Sequence, residues 1–128
     1  MIALSIRQPY AELILRGIKT AELRTRPTNM IGRRFYIYAA KVRARVPIWS
    51  DDLQVGKPPA WMIELARQMN LIPPDAELPT GVIVGSAVIE HVSQIDDGMW
   101  RWHLADVQRA KRPRKPLGHP QPVWFKPF

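Results

Sequence analysis

Two short segments hold most of the side chains that could do chemistry. The first is Ser5-Ile6-Arg7-Gln8-Pro9-Tyr10, and the second is Gly17-Ile18-Lys19-Thr20-Ala21-Glu22-Leu23-Arg24. The first reads as the end of a strand and the start of a helix. A helix N-terminus offers unpaired N–H groups and the positive end of a dipole, which suits an anion. Ser5, Arg7 and Gln8 add a hydroxyl, a guanidinium and an amide beside it. The second segment leaves the helix by a glycine turn and enters a strand. Glu22 and Arg24 then share one face, because strand side chains alternate, and Lys19 stands at the turn. A Lys19–Glu22 pair removed from water could do acid–base work. The same residues also fit a plain surface ion pair and ordinary helix capping.

The other candidates carry weaker signals. His91, His103 and His119 lack metal-ligand spacing, and Gly81 to Gly85 is followed by no lysine and hydroxyl of a phosphate loop. No metal and no cofactor are expected. Trp100 and Trp102 share a strand face and could stack bases, although core or edge packing accounts for most of the five tryptophans. Absence of cysteine rules out disulfides, thiolate zinc sites and cysteine nucleophiles.

These residues need elements to position them. Ile2, Leu4 and Ile6 alternate as a strand, and Pro9, Tyr10, Leu13, Ile14 and Gly17 predict a helix over about 8–16. Strands are expected at Thr20–Thr25, Arg34–Ala40, Gly81–Ile95 and Trp100–Leu104, with a short last one at Val123–Phe125. Gly85 predicts a bulge or a close backbone approach. Pro59–Met69 reads as an amphipathic helix between a loop or short helix at Pro47–Pro59 and a proline-rich connection at Leu71–Pro79. Lys111–Lys115 reads as a basic loop. Five or six strands with two helices, and no regular β-α-β alternation, predict an α+β fold around a small curved or closed sheet.

The chain has 128 residues, 46% hydrophobic and 23% charged, which predicts one globular domain over 1–128. No apolar run is long enough for a membrane span, and Arg7 comes too soon for a signal peptide, so a cytoplasmic protein is expected. Net charge is +8, with ten basic and two acidic residues in 1–50, two and eight in 51–98, and seven and one in 99–128. If the basic ends pack together they form a face that attracts polyanions. Thirteen of the 19 basic residues are arginine, which suits forked contact with phosphate.

Ser5-Ile-Arg-Gln-Pro-Tyr-Ala11 followed by Gly17-Ile-Lys-Thr-x-Glu-x-Arg24 resembles the ASCH domain, a branch of the PUA-like fold. Tyr36-Ile-Tyr-Ala-Ala-Lys41, Gly81-Val-Ile-Val-Gly85 and Trp124-Phe125 are similar to later pieces of that family. The resemblance implies a PUA-like small mixed β-barrel of five to six strands, flanked by two or three helices, with a cleft beside the first helix. It implies a nucleic-acid-binding and chiefly RNA-binding module, the cleft lined by Ser5, Arg7, Gln8, Lys19, Glu22, Arg24 and Lys41. Some members are hydrolases, so the alternative is a ribonuclease or an N4-acylcytidine amidohydrolase-like enzyme with Lys19 and Glu22 as its catalytic pair. Members resembling the amidohydrolases have a threonine where this chain has Glu22, so that hydroxyl is missing here. The expected partner is RNA or another single-stranded nucleic acid, with no membrane; an acidic protein is a further candidate for a basic face.

Overall fold

A computed structural model describes residues 1–43, 77–96 and 98–128. The expected elements within Pro47–Pro59 and Pro59–Met69, and most of the connection at Leu71–Pro79, lie outside the described residues. The described elements are β1 (Ala3–Arg7), α1 (Tyr10–Leu15), β2 (Ala21–Arg24), β3 (Arg34–Ala40), β4 (Val82–Asp96), β5 (Met99–Arg114) and β6 (Trp124–Phe125). They form one six-stranded sheet in the order β2-β5-β4-β3-β1-β6. β1 and β3 run parallel, and the other pairs are antiparallel.

The sheet is mixed, as expected, but it is not a closed barrel. Closure would need a ladder from β2 to the far edge. β3 takes one edge of β1, and β6 takes the other edge only at Ala3 and Leu4. β6 itself is two residues long and offers almost no backbone to pair. Side chains bridge the two ends of the sheet instead: Trp102 of β5, the strand next to the β2 edge, stacks on Trp124 of β6, with ring centroids 5.9 Å apart and planes within 7°. The expected two or three flanking helices are also corrected, since the described residues contain one helix of six residues.

α1 is short because Gly17, at φ +75, stops it where a side chain would strain the backbone. Leu13 and Ile14 are fully buried beneath the sheet and each contribute roughly 1.5–3 kcal/mol. Arg109 of β5 grips the buried Glu12 carboxylate through both oxygens, at 3.0 and 2.7 Å, and Arg16 adds a third contact at 2.7 Å. Burial would raise the Glu12 carboxyl, but these two guanidinium groups hold it below the usual carboxylate range.

Strand alternation gives the sheet two faces. Leu4, Ile6, Phe35, Ile37, Ala87, Ile89, Trp102 and Leu104 pack with α1 in the main core. Ala3, Tyr38, Ile83 and Phe125 form a second cluster, with Tyr36 and Ala40 against it. Gly85 meets both readings of the sequence: the β4–β5 register shifts beside it, and a Cβ there would lie 2.4 Å from the Gln108 carbonyl oxygen and 2.6 Å from Leu15. β5 runs ten residues past the expected end, so most of the basic loop expected at Lys111–Lys115 is strand. Pairing with β4 as far as Ile83↔Arg114 overrides the local proline signal, and Pro113 falls where β5 carries extra residues between paired positions.

Candidate functional site

The gap left between β2 and β1 is a cleft of about 610 Å³, within the ordinary range for ligand sites. Ser5 to Arg7 line one side, and Glu22 to Thr25 line the other. Tyr38 and Ala40 enter from β3, Lys41 and Val42 follow them, and His119 to Pro122 form a further wall. The open sheet and the cleft are therefore one feature: the missing ladder is the site.

Glu22 organises the cleft. In the β2–β5 register it lies opposite Trp102, and both face inward; Leu23 is opposite Arg101. One carboxylate oxygen takes a hydrogen bond from Lys19, whose ammonium is also buried. The other accepts from Arg24 through Nε at 3.0 Å and Nη2 at 2.5 Å. Burial would raise this carboxyl, but the charges of Lys19 and Arg24, with their hydrogen bonds, hold it below the usual carboxylate range. Glu22 is thus ionised at neutral pH, with both oxygens engaged.

Arg24 is the cation of the network that reaches the cleft. Its Nη2 also donates to the Ser5 carbonyl at 3.1 Å, so the guanidinium bridges the seam from β2 to β1. Its plane lies by the Trp102 ring, 5.7 Å from the centroid. These contacts fix its position and leave Nη1 without a hydrogen bond among the described residues. Ser5 holds the opposite wall as well: its N–H donates to Val123 at 2.9 Å and its hydroxyl donates to the Gln121 carbonyl at 2.5 Å. Tyr38 is buried, and that burial raises its phenol, so it stays a neutral donor.

Five of the seven expected residues meet in the cleft: Ser5, Arg7, Glu22, Arg24 and Lys41. Lys19 sits behind Glu22, only 4% exposed, and acts on the cleft through the carboxylate. Gln8 is placed elsewhere. It is fully buried; its Oε1 accepts from the Glu12 N–H and its Nε2 donates to the Pro79 carbonyl, each at 3.0 Å. The start of α1, where an anion seat was expected, is closed by this contact and by buried Pro9. Trp102 is likewise buried, its indole N–H donating to the Arg26 carbonyl at 2.9 Å.

Sequence reading missed Tyr10, Tyr38 and the wall from His119 to Pro122. Tyr38 joins the cleft through the β1–β3 register, which sets it beside Ser5 and which the sequence does not display. The wall carried no signal either, being more than a hundred residues from Ser5 and brought there by β6. Among the described residues no three histidines, aspartates or glutamates converge as metal ligands.

Comparisons with known proteins bear on the fold and the family. Two solved structures from Zymomonas mobilis, an ASCH protein and a serine-to-alanine mutant of it, match the fold with TM-scores of 0.53. They are 18% and 16% identical, and each alignment covers 89% of this chain and 72% of theirs. At that identity the likeness speaks for the fold. No curated protein matches. A family model for the ASCH domain matches residues 4–114, which runs from the second residue of β1 to the end of β5 and takes in every residue of the Lys19–Glu22–Arg24 network, and the chain therefore belongs to the ASCH domain family.

Proposed function

We propose that this protein binds single-stranded RNA and holds one nucleotide in the cleft between β1 and β2. The observation that carries the reading is the charge of the cleft. Arg7, Arg24 and Lys41 line it together with a single carboxylate, Glu22, whose own charge is already matched by the buried Lys19 behind it. That excess of positive charge favours an anionic group. The walls suit the rest of a nucleotide: Ile6, Tyr10, Tyr38, Pro120 and Pro122 give apolar and aromatic surface for a base or sugar. In this reading Arg24 contacts phosphate through its outer edge, and the exposed Arg7 and Lys41 guide the backbone in. The ASCH family's general association with RNA points the same way.

Lys19 and Glu22 are a positioning pair in this reading. Each carboxylate oxygen is already held by a cation, and the lysine is buried behind it, so neither faces a reacting bond. Their work is to fix Arg24.

The test is a binding titration by fluorescence anisotropy, using labelled uridine octanucleotide at several salt concentrations. Affinity should fall steeply with salt. Arg24→Gln should weaken binding about tenfold and lower the salt slope by about one. An affinity flat in salt, or an Arg24→Gln variant equal to the native protein, refutes the reading. Recovery of cleaved RNA after incubation would move Lys19 and Glu22 from positioning to catalysis.

A further inference from the structure

The sheet face that supplies the cleft continues beyond it. Alternation places Arg34, Tyr36, Tyr38 and Ala40 of β3 on this face. Their β1 partners Ala3, Ser5 and Arg7 lie beside the last three. Ser86 and Ile83 of β4 pair with Tyr36 and Tyr38, and Arg114 of β5 pairs with Ile83. A row of rings therefore runs away from the cleft. Tyr38, in the cleft wall, meets Phe125 edge-on at 5.1 Å. Tyr36, one step further out, meets Phe128 edge-on at 5.7 Å. Arg114 lies over the Phe128 ring, its guanidinium carbon 4.2 Å from the centroid.

Tyr38 and Tyr36 are two residues apart, or about 7 Å along the strand, close to one nucleotide step of an extended single strand. Tyr38 is buried, Tyr36 is half-buried, Phe128 is 48% exposed and Arg114 is exposed. One plane of the Arg114 guanidinium rests on Phe128, and the side chain makes no hydrogen bond or ion pair among the described residues. Exposed Arg112, Lys115 and Lys126 lie close in sequence to Arg114 and Phe128. A guanidinium already stacked on a ring is a platform for a base, and its edge donors suit the adjoining phosphate.

We propose that Arg114 and Phe128, braced by Tyr36, form a second stacking site for single-stranded RNA, filled by a nucleotide neighbouring the one in the cleft. The inference rests on the RNA-binding reading above. The charge of this face selects an anionic strand, and its continuity with the cleft sets the path: from Arg24, past Tyr38, to Arg114.

The experiment compares two probes on the full chain, uridine monophosphate and uridine octanucleotide. Arg114→Ala and Phe128→Ala should each weaken octanucleotide binding about tenfold and leave monophosphate binding unchanged, while Phe128→Trp should keep octanucleotide affinity. Arg24→Gln should weaken both probes. If Arg114→Ala leaves the octanucleotide unaffected, or weakens both probes alike, the second site is refuted and the cleft stands. If Arg24→Gln is harmless to both probes while Arg114→Ala abolishes octanucleotide binding, the cleft reading fails and the stacking site stands alone. No binding of either probe by the native protein overturns both.

Discussion

Replacing Glu22 with glutamine keeps its size and removes its charge. The consequence follows from what surrounds it. Lys19, 4% exposed, would keep its ammonium buried without an ionised partner among the described residues. Removing one partner of a buried ion pair costs about 3–5 kcal/mol, much of it from the charge left behind. The glutamine Oε1 can still accept one hydrogen bond, and Arg24, whose side chain is 22% exposed, can turn to water. We therefore expect about 3 kcal/mol of lost stability, a large share of the 5–15 kcal/mol typical of a whole domain. Urea unfolding followed by tryptophan fluorescence measures it, with Trp102 beside Arg24 as one of the five reporters. The pH dependence supplies a second check. The folded pKa of Glu22 is lowered, so its contribution to stability is present above the unfolded value, near pH 4.3, and is lost as pH falls through the folded pKa. The gap between native and variant protein should close on acidification over that window. Octanucleotide affinity should fall severalfold at neutral pH, because Arg24 loses the group that aims it. A stability loss under about 1 kcal/mol, or a gap that stays constant with pH, refutes the view that Glu22 is a buried charge holding two cations.

Two other substitutions probe the frame around the cleft. Gly85→Ala should destabilise the fold by about 1–3 kcal/mol in urea unfolding, since the new Cβ would meet a backbone oxygen at 2.4 Å that cannot turn aside. Arg109→Ala should lower stability by about 1–2 kcal/mol at neutral pH, because Glu12 loses two of its three side-chain contacts while Arg109 itself is half exposed. As Glu12 also has a lowered pKa, that difference should shrink as pH falls below about 4.3, which a thermal melt at two pH values would show.

The amino-acid order by itself determined what depends on neighbours in the chain. Alternation of Phe35, Ile37 and Ala39 with Tyr36, Tyr38 and Ala40 marks β3 at its observed bounds, because a strand's faces are set by period two. Gly17 marks the end of α1 because few other residues accept that backbone angle. The spacing of Glu22 and Arg24 places them on one strand face, close enough to pair. Tertiary structure decided what depends on distant partners. Gln8 looks like a cleft residue by type, yet the Glu12 N–H and Pro79 carbonyl draw it into the interior, since a buried amide must satisfy its hydrogen bonds. The length of β5 comes from its ladder to β4, which outweighs the turn signal of Lys111–Lys115. The sheet stays open because β6 occupies one edge of β1 at Ala3 and Leu4, is itself too short to pair with β2, and leaves the edge from Ser5 to Arg7 without a strand. No local pattern records which strand edges remain unpaired, because that depends on the whole set of pairings. The cleft exists only in that remainder, where β2 and β1 face each other with Arg24 and the Ser5 carbonyl between them.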